Sequence, residues 1–80
     1  MATTASVDKD LNLRGEVCPY TFVKSKLALE VMQAGQILQV IVDNDESASN
    51  VPRSMQNEGH EVLGVSKLNE KDWQILVRKA

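Results

Sequence analysis

One cysteine, one histidine and three aromatic residues are all that 80 positions hold of the side chains commonest in reactive and base-stacking sites. A lone cysteine excludes an intramolecular disulfide and a metal site built from cysteines alone. The chain also lacks the run of about 18 apolar residues that a transmembrane helix needs, so no membrane partner is expected. It has neither a glycine-rich phosphate loop nor a dinucleotide fingerprint. Positive charge is not in excess: nine basic residues face eleven acidic ones, for a net charge of −2. That balance, with so few aromatics, weighs against nucleic acid as a partner. The first ten residues have no apolar core and carry Asp8 and Asp10, so they do not read as a signal peptide. Without an export signal, the thiol is expected in a reducing cytoplasm.

What is present reads as one domain. An apolar fraction of 42% with 25% charged residues suits a small globular chain. Residues 1–8 are small and polar and read as a loose tail, leaving 9–80 as the domain. Leu11 and Leu13 alternate with Asn12 ahead of Arg14-Gly15, the pattern of a short strand closed by a turn. Pro19 suits a first helical turn, where its missing N–H has no intrahelical partner. The helix formers that follow predict a helix from Pro19 to Ala34, stopped by Gly35.

That helix has two apolar stripes, Phe22, Leu29, Met32 and Val23, Leu27, Val31, flanking Ala28. An arc so wide predicts packing on a sheet and against a neighbouring helix, and leaves room for a dimer, so the oligomeric state stays open. Ile37 to Val42 reads as an interior strand. A second helix is expected to start from a Ser47 or Ser49 cap, with Pro52 in its first turn, Val51 and Met55 inward, and an end at Asn57-Glu58-Gly59. Val62, Leu63 and Val65 predict a third strand. Trp73, Ile75 and Val77 predict a fourth, joined to it through the turn Asn69 to Asp72. The expected order is βαβαββ, a two-layer α/β (α+β) sandwich with both helices on one face of a four-stranded mixed sheet.

The chemistry centres on Cys18. A cysteine at the start of a helix faces amides without intrahelical partners and the positive end of the helix dipole, and both favour a thiolate or persulfide anion. Lys24 either reaches toward the thiol on its flexible stem or covers apolar surface and points to water. Arg14 is the other cation near in sequence, or simply an exposed turn residue. Lys26 falls on the polar side of the helix. His60, after Gly59, is expected at the far end of the sheet, which disfavours a Cys/His catalytic pair. Asp43, Asp45 and Glu46 lack a calcium-loop spacing and read as a solvated loop, so no metal is expected.

The string Leu11 to Pro19 (LNLRGEVCP), a lysine-bearing helix, Gly35, Leu38 to Asp43, Val51-Pro52 and Gly59-His60 together resemble the TusA/SirA-like sulfur-carrier family. The resemblance runs from about Leu11 to the C-terminus. It implies the same βαβαββ sandwich. It also implies that Cys18 takes persulfide sulfur from a donor protein, of the cysteine desulfurase or rhodanese type, and passes it to an acceptor protein. No metal or organic cofactor is implied. The family serves tRNA thiolation, molybdenum-cofactor assembly and oxidative sulfur metabolism. Thr21 stands where the usual Cys-Pro-x-Pro motif has its second proline, which restores an N–H and adds a hydroxyl at the mouth of the site. Cys18 is thus the expected nucleophile, with Pro19, Thr21, Lys24 and Arg14 around it. The alternatives are a regulatory or protein-binding module of the same fold, or a thiol redox switch whose resolving thiol comes from a partner.

Overall fold

A computed structural model describes residues 7–17 and 20–80. Its elements are β1 (Lys9–Asn12), α1 (Tyr20–Glu30), β2 (Ile37–Val42), α2 (Asp45–Asn57), β3 (Glu61–Lys67) and β4 (Trp73–Arg78). The four strands form one mixed sheet in the order β1-β2-β4-β3. β1 runs parallel to β2, while β4 lies antiparallel to both β2 and β3. The expected two-layer sandwich is therefore the observed one.

Burial follows the alternation in the strands. Leu38, Val40 and Val42 of β2 pair near Val77, Ile75 and Trp73 of β4, and all but the half-buried Trp73 are fully enclosed on the helix side. Leu13, Ala28, Leu29, Met32, Val51 and Met55 join them in the core. On α1, the buried residues are Thr21, Ser25, Ala28 and Leu29. The second stripe read as packed, Val23, Leu27 and Val31, is instead exposed. The reason is that the helix meets the sheet and α2 with one side only, and small residues fill that side.

Three boundaries differ from expectation. α1 ends at Glu30, short of Ala34, because the Met32 amide tightens onto the Leu29 carbonyl at 3.0 Å. The chain then turns through Gly35, whose φ of 90° suits glycine and whose amide bonds the Lys79 carbonyl at 2.9 Å. α2 starts earlier than a serine cap requires: Asn44 is the cap, its side-chain oxygen accepting from the Ser47 amide at 2.8 Å. Ser47 is thereby inside the first turn and Pro52 lies within the helix, not at its start. Finally, Asp8, placed in the tail, already bonds Ile37 through both its backbone amide and its carboxylate. Residues 1–6 of that tail lie outside the described residues.

Candidate functional site

Parallel pairing of β1 and β2 sends the β1–α1 and β2–α2 loops to the same end of the sheet. The β3–β4 turn joins them there, since Lys67 pairs with Trp73 at the end where Val42 also pairs with Trp73. In open sheets, sites gather outside the carboxyl ends of parallel strands. Cys18 and Pro19, the centre of the expected site, lie outside the described residues; the segments on either side of them do not.

Those flanks are held by long-range bonds. The Gly15 amide donates to Asp43 Oδ2 at 2.9 Å, and Asn44 Nδ2 donates to the Glu16 carbonyl at 3.1 Å. Gly15 has φ +85°, a conformation in which a side chain is strained, so the turn into the site depends on glycine. Arg14 pairs with Asp72 of the β3–β4 turn, Nε to Oδ2 3.1 Å. Lys24 reaches back to Glu16, Nζ to Oε2 2.9 Å. Both expected cations thus sit at this end, each engaged by a carboxylate that sequence reasoning did not pair with it.

Thr21 differs from its expected place at the mouth. It is fully buried, and its hydroxyl lies 3.0 Å from that of Ser47, also buried, across the two helices. Its amide and that of Tyr20 both donate to the Val17 carbonyl, at 3.3 and 2.8 Å. These two amides are therefore committed to the backbone just before Cys18. The Thr21 carbonyl in turn accepts from the Ser25 hydroxyl at 2.7 Å.

The remaining candidates separate cleanly. His60 precedes β3 at the opposite end, where Glu61 pairs with Arg78, so it cannot serve a site in the β1–α1 loop. Its Nδ1 accepts from the Ala80 amide at 3.1 Å. Burial, with the Lys79 charge nearby, holds the imidazole pKa below its usual value despite Glu58. Asp72 is also lowered, first by the Asn69 side chain bonded to it and then by Arg14. Among the described residues, a groove of about 470 Å³ between α2 and the hairpin is lined by Asp45, Ala48, Ser49, Val65 and Trp73. Among the described residues no group of three or more His, Cys, Asp or Glu could hold a metal ion, and no helix is long and apolar enough to cross a membrane.

The family profile described as sulfurtransferase TusA matches residues 9–79, nearly all of the chain. The chain belongs to the TusA family. It is 55% identical over 69 residues to a candidate sulfur carrier protein of Archaeoglobus fulgidus, covering 86% of this chain and 78% of that one. It is 39% identical over 72 residues to a candidate sulfur carrier of Thermotoga maritima, covering 90% and 91%. The crystal structure of a SirA-like protein from Desulfitobacterium hafniense superposes with a TM-score of 0.78 at 25% identity, covering 88% and 95%. Family and relatives support a sulfur-carrier role.

The residues that hold the loops, Glu16, Asp43, Asn44, Ser47 and Asp72, went unnoticed as a group in the sequence reading. One signal was available: Asn44 followed by acidic Asp45 and Glu46 is a helix-cap pattern with a charge-matched first turn.

Proposed function

We propose that this chain is a sulfur carrier that relays persulfide sulfur through Cys18 between a donor protein and an acceptor protein in the cytoplasm. The Cys18 thiolate attacks the outer sulfur of the donor's persulfide. A bond forms between Cys18 Sγ and that sulfur, the donor's S–S bond breaks, and its electron pair leaves on the donor thiolate. The transferred sulfur keeps its proton, and nothing is oxidised overall. Attack by an acceptor thiolate on the Cys18 persulfide repeats the exchange and restores Cys18.

The observation that carries this reading is the TusA family match over residues 9–79, with Cys18 the chain's only thiol. The geometry agrees with it. Glu16 and Val17 on one side of Cys18 are fixed by Asn44, Lys24, Tyr20 and Thr21, and α1 begins at Tyr20 on the other. In this reading Cys18 sits ahead of the positive end of α1, which favours the thiolate and the persulfide anion. Thr21 ties the helix to α2, and Lys24 and Arg14 hold the loop through Glu16 and Asp72. No metal or organic cofactor enters the exchange.

Intact-mass spectrometry after incubation with a persulfide donor tests the proposal. Wild type should gain about 32 Da, one sulfur atom, reversed by reductant, and Cys18→Ser should gain none. Equal uptake by Cys18→Ser would remove the mechanism. A wild-type protein that stays unloaded beside an alkylatable thiol would point instead to a binding module.

A further inference from the structure

The outer edge of β3 is left open. β3 is the last strand of the sheet and pairs with β4 alone, so no strand takes the amides and carbonyls of its other side. Residues opposite each other in a sheet share a face. Val65 stands opposite the buried Ile75 and Lys67 opposite Trp73, so both project on the helix side. Val62, earlier in the strand, packs against the core, whereas Val65 is 44% exposed and lines the groove with Asp45, Ala48, Ser49 and Trp73. Among the described residues, this corner also holds two charges that no ion pair uses. Asp45 lines the groove without a cation, and Lys67, without a carboxylate, rests over the Trp73 ring, 4.8 Å from its centroid. Such contacts at exposed sites are weak.

We propose that a second copy of this chain adds to the β3 edge, antiparallel and about a two-fold axis at Ser66, with Lys67 of each copy entering the other's groove to meet Asp45. Face, bulge and charge together select this occupant and register. A two-fold axis normal to the sheet keeps helix side on helix side, so opposed residues must come from the same face. Centring on Ser66 does this and sets Val65 opposite Lys67 of the copy. The lysine stem then lies along Val65 and its ammonium reaches toward Asp45. The bulge between Val62 and Gly64 bends the strand and confines regular pairing to the residues after it. Centring on Val65 instead would set Lys67 against Leu63, within the bulge. An inward charge such as Lys67 keeps a foreign strand off an edge. A copy of the same chain accommodates it, because its groove brings an unpaired carboxylate to the matching place. The two sheets join edge to edge, and the exposed Leu68 falls beside Gly64 of the copy, where no side chain stands. Pairing over so short a stretch makes a weak, reversible dimer. The inference is independent of the sulfur-carrier reading.

Analytical ultracentrifugation of the full chain is the test, with monomers expected at micromolar concentration and dimers at millimolar. Asp45→Lys and Lys67→Asp should each weaken dimerisation by about tenfold or more, because like charges then meet across the groove. An equimolar mixture of the two variants should recover wild-type affinity, since each carries the charges the other needs. Variants that were merely misfolded would recover nothing, and circular dichroism of both should match wild type. The indole resonance of Trp73, the chain's one tryptophan, should shift with wild-type concentration as Lys67 leaves the ring, and stay constant in Asp45→Lys. A wild type that remains monomeric at millimolar concentration overturns the proposal, as does a mixture that dimerises no better than its parts. Dimers abolished by Val31→Glu on α1 yet indifferent to Asp45→Lys would place the contact on α1 and overturn it as well.

Discussion

Two buried hydroxyls tie the helices together at the end of the molecule that carries Cys18. Thr21 Oγ1 and Ser47 Oγ are 3.0 Å apart, both fully enclosed, and no other hydrogen bond to either hydroxyl is seen among the described residues. A hydroxyl left buried without a partner costs about 1–3 kcal/mol, whereas removing both members of a pair costs far less. Thr21→Val should therefore destabilise the protein by about 1–3 kcal/mol in urea denaturation. Thr21→Val/Ser47→Ala should recover part of that loss, and a double variant worse than the sum of the singles would refute the pairing. The substitution of threonine for the family's second proline was legible as a departure, but its consequence was not. Sequence placed the hydroxyl beside an anion, while the structure spends it between helices. The position of Ser47 opposite depends on where α2 begins, which rests on the Asn44 cap.

Asn44 works at the scale of elements, because one amide side chain serves a helix and a loop. Its oxygen caps α2 through the Ser47 amide, and its nitrogen holds the Glu16 carbonyl, two residues before Cys18. Loss of a cap costs about 1 kcal/mol, and loss of the second bond adds about as much. Asn44→Ala should then lower stability by about 1–2 kcal/mol. Asn44→Asp separates the roles, since a carboxylate caps as well as an amide but cannot donate to a carbonyl. It should keep most of the stability while shifting the amide resonances of Gly15, Glu16 and Val17. Unchanged resonances there would mean that the Glu16 bond does not order the loop. The elements themselves were legible: β-branched runs and alternation mark β2 and β4, and Gly59, at φ 94°, ends α2 as read. The side of α1 that faces the core was not. Its apolar residues occur all round the helix, and periodicity alone cannot say which set is buried and which is exposed.

Across the whole molecule, the sheet separates two titrating sites whose effects on stability fall in different pH ranges. His60, at the end away from Cys18, is held below its usual pKa by burial and then by Lys79, and its Nδ1 already accepts the Ala80 amide. The unfolded chain binds the imidazole proton more readily, so stability is complete above the ordinary histidine pKa of about 6.5. It declines as pH falls from there through the lower folded value. Asp72, at the Cys18 end, is held below the ordinary aspartate value, first by Asn69 and then by Arg14. Its contribution is present above about 4 and is lost as pH falls through the folded value. The Arg14–Asp72 pair closes the β1–α1 loop onto the β3–β4 turn, a long-range contact that no local pattern announces. Denaturation midpoints measured from pH 8 to pH 3 should therefore fall in two steps. His60→Gln should flatten the upper step and leave the lower. Arg14→Gln should shrink the lower one and raise the Asp72 pKa seen by NMR, with Asn69→Ala raising it further. An Asp72 pKa indifferent to both substitutions would mean that neither side chain holds the carboxylate, and that the β1–α1 loop is held without the Arg14–Asp72 pair.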